Sequence, residues 1–135
     1  MSESNKSSRA GYAAFGSRGE DSHLAGLLQS IGLHSNVSNV IAAMAQTEWV
    51  DSGLLQKKCG LRQPEVSVAV RELESREILE MRQERNGGRG RPRHMYRLRG
   101  GFEQAIEPFV VDAEARLSKL DSAIQQLGVM TDFRR

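Results

Sequence analysis

The chain has 135 residues, 39% hydrophobic and 27% charged, which suits one ordinary domain with a modest core and argues against a wholly disordered chain. Its nineteen Lys+Arg and seventeen Asp+Glu sum to only +2, and a single cysteine, Cys59, excludes an internal disulfide. No apolar run approaches the roughly 18–20 residues of a membrane span, and no signal-peptide core is visible, so the expectation is a soluble chain of a reducing cytoplasm.

In chain order, residues 1–20 are rich in Ser and Gly without periodicity and read as a disordered arm that Tyr12 and Phe15 can anchor. Asp21–Ser22 reads as a helix cap, and Leu24, Leu27, Leu28 and Ile31 share a face up to Gly32. Ser35 reads as the cap of a helix to about Gln46, with Val37, Val40, Ile41 and Met44 as its apolar stripe. Thr47–Val50 is short and β-prone, with Trp49 as a core or interface anchor. Asp51 or Ser52 then caps a helix to about Lys58, and Cys59–Gly60 makes the turn. Pro64 suits a first helical position, and Val66, Ala69, Val70 and Leu73 mark the buried side of a helix from there to about Arg76.

Beyond Ile78 the period changes. Leu79–Arg82 and Met95–Arg99 are strand-like, and Asn86-Gly87 between them signals a hairpin. Between Arg82 and Arg99 stand seven arginines and one acid, Glu84, a local charge of +6; subtracted from +2, this leaves −4 for the rest of the chain. So uneven a distribution points to a polyanion-binding element. In the last third, Ile106, Val110, Ala113, Leu117, Leu120, Ile124 and Leu127 alternate at spacings of four and three, a heptad seam. Pro108 is expected to interrupt it, so that the unbroken helix starts there.

Two helices joined by a tight turn and followed by a hairpin describe a winged helix-turn-helix, mainly α with a small β-hairpin (α+β) and a long C-terminal dimerisation helix. The expected division is an arm over 1–20, the winged unit over 21–101, and the dimerisation helix with its tail over 102–135. The run Leu61-Arg62-Gln63-Pro64-Glu65-Val66-Ser67, with Val70, Leu73 and Ile78, resembles the recognition segment of ArsR-type regulators. Gly90-Arg91-Pro92 with Tyr96-Arg97-Leu98 resembles the wing of small archaeal regulators of the MarR, TrmB and PadR kind. That resemblance implies a sequence-specific, dimeric transcription regulator. The paired cysteines of metal-sensing members are missing, so metal sensing is not carried over and no cofactor is expected.

The inward stripe leaves Arg62, Gln63, Glu65, Ser67, Val68 and Arg71 as candidate DNA contacts. Gln63 can pair with adenine, Arg62 or Arg71 with guanine or phosphate, and Val68 with a thymine methyl; Glu65 can accept from cytosine or complement the helix N-terminus. On the wing the candidates are Arg82, Arg85, Arg89, Arg91 and Arg93. Arg89-Gly90-Arg91-Pro92 resembles the core of AT-hook peptides, which suit a narrow A·T-rich minor groove. Dimerisation falls to Val110, Ala113, Leu117, Leu120, Ile124 and Leu127, with Arg116 opposite the partner's Asp121 in a parallel pair. His23, His34 and His94 lack ligand spacing, and no nucleophile elbow or phosphate loop occurs, so no enzyme and no metal are expected. Two alternatives remain: a protein-interaction module of a transcription assembly, and a sequence-independent architectural binder of nucleic acid.

Overall fold

The computed structural model describes residues 18–46, 48–85, 90 and 92–131. Among these residues five helices and three strands follow in the order α1 (Arg18–Ser30), α2 (Ser35–Met44), β1 (Val50–Asp51), α3 (Ser52–Cys59), α4 (Gln63–Ser75), β2 (Leu79–Glu84), β3 (Arg93–Leu98) and α5 (Gly101–Thr131).

The apolar stripes place these elements. Val37, Val40, Ile41 and Met44 of α2 are buried at the centre. Leu24 and Leu28 of α1, Leu55 of α3, and Val66, Ala69, Val70 and Leu73 of α4 pack into the same core. Leu79 and Leu98 close it from the base of the hairpin, and Ala105 and Phe109 bring in α5. The sheet is antiparallel with strand order β1-β3-β2.

Local chemistry ends the helices as expected in two places. Asp51 caps α3 by accepting from the Leu54 N–H at 2.8 Å, and Gly60 closes that helix in the left-handed region at φ 67°. After α4 the N–H of Ile78 reaches the Leu73 carbonyl at 2.9 Å and that of Glu77 reaches Glu74 at 2.9 Å, a Schellman motif with Glu77 at φ 61°.

Other expectations are corrected. α1 begins at Arg18, so Asp21 and Ser22 lie inside it rather than capping it. Leu27 is 53% exposed, off the buried face of α1. Ser35 is the first residue of α2, extended His34 is its N-cap, and the helix ends at Met44, short of Gln46. Pro108 does not start a helix but lies within α5. A proline removes one backbone bond, and the buried neighbours Ala105 and Phe109 hold the turn around it against the core. Of the expected arm over 1–20, residues 1–17, with Tyr12 and Phe15, lie outside the described residues, and 18–20 belong to α1.

Candidate nucleic-acid interface

The start of α4 points away from the core. Arg62, Gln63, Pro64 and Arg71 are exposed, Val68 is 60% exposed, and Ser67 and Glu65 are half-buried. Pro64 stands in the first turn, where its missing N–H costs nothing. Gln63 is held from three sides: its Oε1 accepts from Ser52 Oγ at 2.9 Å and from Gln56 Nε2 at 2.6 Å, and its Nε2 donates to Ser67 Oγ at 3.0 Å. Such a network orients the amide, and it ties the first turn of α4 to α3. Glu65 has a local partner, because its Oε1 accepts the Arg62 backbone N–H at 2.9 Å. That is the return bond of a capping box, the second of the two uses its position allows.

The hairpin strands alternate cleanly. Leu79/Leu98, Met81/Tyr96 and Gln83/His94 share the face that begins in the core, and Glu80/Arg97, Arg82/Met95 and Glu84/Arg93 share the outward face. The wing and the starts of α3 and α4 bound an open cleft of about 490 Å³, lined by Gln63, Gly53, Arg93, His94 and Tyr96 among others. Burial and the Glu74 carboxylate push the Tyr96 phenol up, so its hydroxyl stays protonated. The sequence places Tyr96 in the wing and His94 outside any metal-ligand spacing; that both face this cleft follows from the period of two counted back from buried Leu98.

The wing arginines divide into two groups. Arg93 pairs with Asp51 at 3.1 Å and Glu84 at 3.5 Å, and Arg82 pairs with Glu84 at 3.1 Å and lies over the Trp49 ring. Arg97 pairs with Glu80 at 2.8 Å and Glu48 at 3.2 Å, and Arg99 donates to the Glu77 carbonyl at 3.0 Å. Among the described residues, Arg62, Arg71 and Arg85 form no ion pair. Arg89 and Arg91 lie outside the described residues. The +6 of the sequence window is therefore offset in space by Glu48, Asp51 and Glu80, which lie outside that window.

α5 presents two faces. Phe102, Ala105, Phe109 and Arg116 meet the body: Ala105 and Phe109 are buried, Arg76 lies 5.2 Å from the Phe109 ring centroid, and Arg116 donates to the Ile31 carbonyl at 2.6 Å. Gly32, at φ 113°, leaves room for that guanidinium, since a Cβ there would stand 2.7 Å from it. The heptad seam begins one residue on from this stripe, about 100° round the helix. Its upper members Ile106, Val110 and Ala113 are half-buried, and Leu117, Leu120, Ile124 and Leu127 are 66%, 60%, 49% and 50% exposed. The pairing of Arg116 with a partner's Asp121 is not favoured, because Arg116 is engaged within its own chain and Asp121 accepts from Gln125 at 2.9 Å.

Among the described residues no group of three His, Cys, Asp or Glu could hold a metal, and no helix is long and apolar enough to cross a membrane. Neither a family model nor a curated protein matches the chain. Solved structures do match. A possible transcriptional regulator from Methanosarcina mazei Go1 is similar at 22% identity and TM-score 0.50, over 72% of this chain and 83% of that one. A MarR family regulator from Neisseria meningitidis is similar at 14% identity and TM-score 0.51, over 98% of this chain and 89% of that one. A further transcriptional regulator matches at 22% identity and TM-score 0.50, over 80% and 73% of the two chains. At such identities the likeness is one of fold: the chain has the winged-helix fold, α+β with a long C-terminal helix.

Proposed function

We propose that this protein is a non-enzymatic transcription regulator that binds double-stranded DNA sequence-selectively as a homodimer. The observation that carries the reading is the start of α4. An exposed, polar and basic helix start stands beside an arginine-bearing hairpin, on a fold shared with transcriptional regulators. In this reading Gln63, Ser67, Val68 and Arg71 face base edges in the major groove, and Arg62 meets phosphate. Glu65 serves the helix cap. Arg85, with Arg89 and Arg91, reaches the flanking backbone and minor groove. The winged unit spans residues 21–101 and the dimerising helix 102–135, and the exposed lower seam of α5 is the surface a second copy covers.

Selection of genomic fragments by the purified protein tests this reading. The expected result is a two-fold motif whose binding survives competition by random duplex at fixed salt. Arg71→Ala is expected to cost about 1–3 kcal/mol and to relax one base position. Arg89→Ala with Arg91→Ala is expected to flatten the slope of log affinity against log salt by about two. Random duplex competing as well as the selected site would favour an architectural binder. A protein-interaction module is the second reading, favoured by the offset of Arg82, Arg93 and Arg97 by nearby acids; no binding to any duplex would support it.

A further inference from the structure

β3 is the middle strand, and its outward face carries Arg93, Met95 and Arg97 opposite Glu84, Arg82 and Glu80 of β2. Trp49, the only tryptophan of the chain, immediately precedes β1. The register that pairs Val50 with Tyr96 sets Trp49 level with Arg97. The guanidinium of Arg97 lies 4.5 Å from the indole centroid, and that of Arg82 lies 4.3 Å from it. Arg82 belongs to β2, on the far side of β3, so one side chain from the first edge contacts both other strands. Around it Arg97 reaches Glu80 and Glu48, and Arg82 reaches Glu84. Exposed ion pairs contribute little singly, whereas a ring stacked against two guanidiniums fixes the side chains of three strands at once.

A hairpin of six-residue strands reaches about 20 Å, so a tilt of about 10° at its base moves the tip by about 3 Å, one hydrogen-bond length. The last fully buried pair, Leu79 with Leu98, lies at that base; beyond it half-buried Tyr96, the two residues of β1 and the Arg93–Asp51 pair hold the hairpin, and a two-stranded ribbon by itself is marginal. We infer that Trp49 is a positioning residue, a strap that sets the angle at which the wing leaves the domain, and that Arg82 and Arg97 serve this strap rather than the DNA backbone. The inference rests on the DNA-binding reading for its purpose and on the indole–guanidinium geometry for its mechanism.

Two duplexes separate these contributions, one carrying the selected site with its flanks and one cut back to the bases under α4. Trp49→Leu and Arg82→Gln are each expected to weaken the long duplex about tenfold. Both should leave the short duplex and the salt slope unchanged, and Trp49→Phe should recover most of the loss. Hydrogen exchange without DNA should show faster opening of β2 and β3 in Trp49→Leu. Equal losses on both duplexes, no loss on the long one, or a salt slope lowered by about one in Arg82→Gln would each overturn the strap, the last by making Arg82 a phosphate contact. If the unaltered protein binds neither duplex, the DNA-binding reading fails, and unchanged hairpin exchange in Trp49→Leu independently overturns the strap.

Discussion

Cys59 ends α3 with its thiol donating to the Asn39 carbonyl at 3.3 Å, and burial, aided by Asp21, pushes its pKa up to about 11. Two consequences follow from that raised value. The folded protein is expected to react with a disulfide reagent at pH 8 about a hundredfold more slowly than a free thiol, recovering full rate in denaturant. A pKa raised on folding contributes stability that is complete below the unfolded value, 9.0, and is lost as pH rises toward about 11. Cys59→Ala should accordingly fall less steeply in stability over that interval, as thermal melts at graded pH would show. A second residue, Ser38, is fully buried in α2 and its hydroxyl has no hydrogen-bond partner among the described residues. Burying an unpaired hydroxyl costs about 1–3 kcal/mol, so Ser38→Ala is expected to be neutral or stabilising in urea unfolding. At this scale Asp51, Gly60 and Pro64 were legible, since they act over one to four residues, whereas the caps expected at Asp21–Ser22 and Ser35 fell inside their helices. The burial of Ser38 was not legible, because it depends on the helices that pack around α2.

α5 shows how an element can be read correctly in pattern and incompletely in use. Its 31 residues span about 46 Å, and the seam of fours and threes runs along most of it. A parallel stripe one residue earlier, ending at Arg116, holds the helix to the body. That stripe combines Phe109, which a hydropathy pattern can flag, with Arg116, which binds through a hydrogen bond and leaves no periodic signal. With the body on the adjacent face, the lower seam is clear for a partner helix. Leu120→Glu with Ile124→Glu is expected to give a monomer in sedimentation at micromolar concentration, with the helical signal of the winged unit retained. A mass unchanged from the parent protein would remove the seam from the dimer interface. α4 was the most legible element, since its stripe of Val66, Ala69, Val70 and Leu73 is wholly buried as its spacing required.

Over the whole molecule, the net charge of +2 hides an arrangement that a count along the chain also misreads. Arg97 meets Glu48 from 49 residues away and Glu80 from 17, and Arg93 meets Asp51 from 42. Arg82, Arg93 and Arg97 of the hairpin strands are thus partnered within the fold, while Arg62, Arg71 and Arg85 form no ion pair among the described residues. Salt dependence should reflect the proposed backbone contacts Arg62, Arg85, Arg89 and Arg91 rather than all seven arginines of the window. By itself the sequence determined the helices, the hairpin and the exposed start of α4, because apolar period, caps and turn residues act between neighbours. Only the tertiary structure decided which arginines are spoken for, where α5 is anchored and what Trp49 touches. Those contacts join residues far apart in the chain, and strand register and helix packing, rather than local propensity, bring them together.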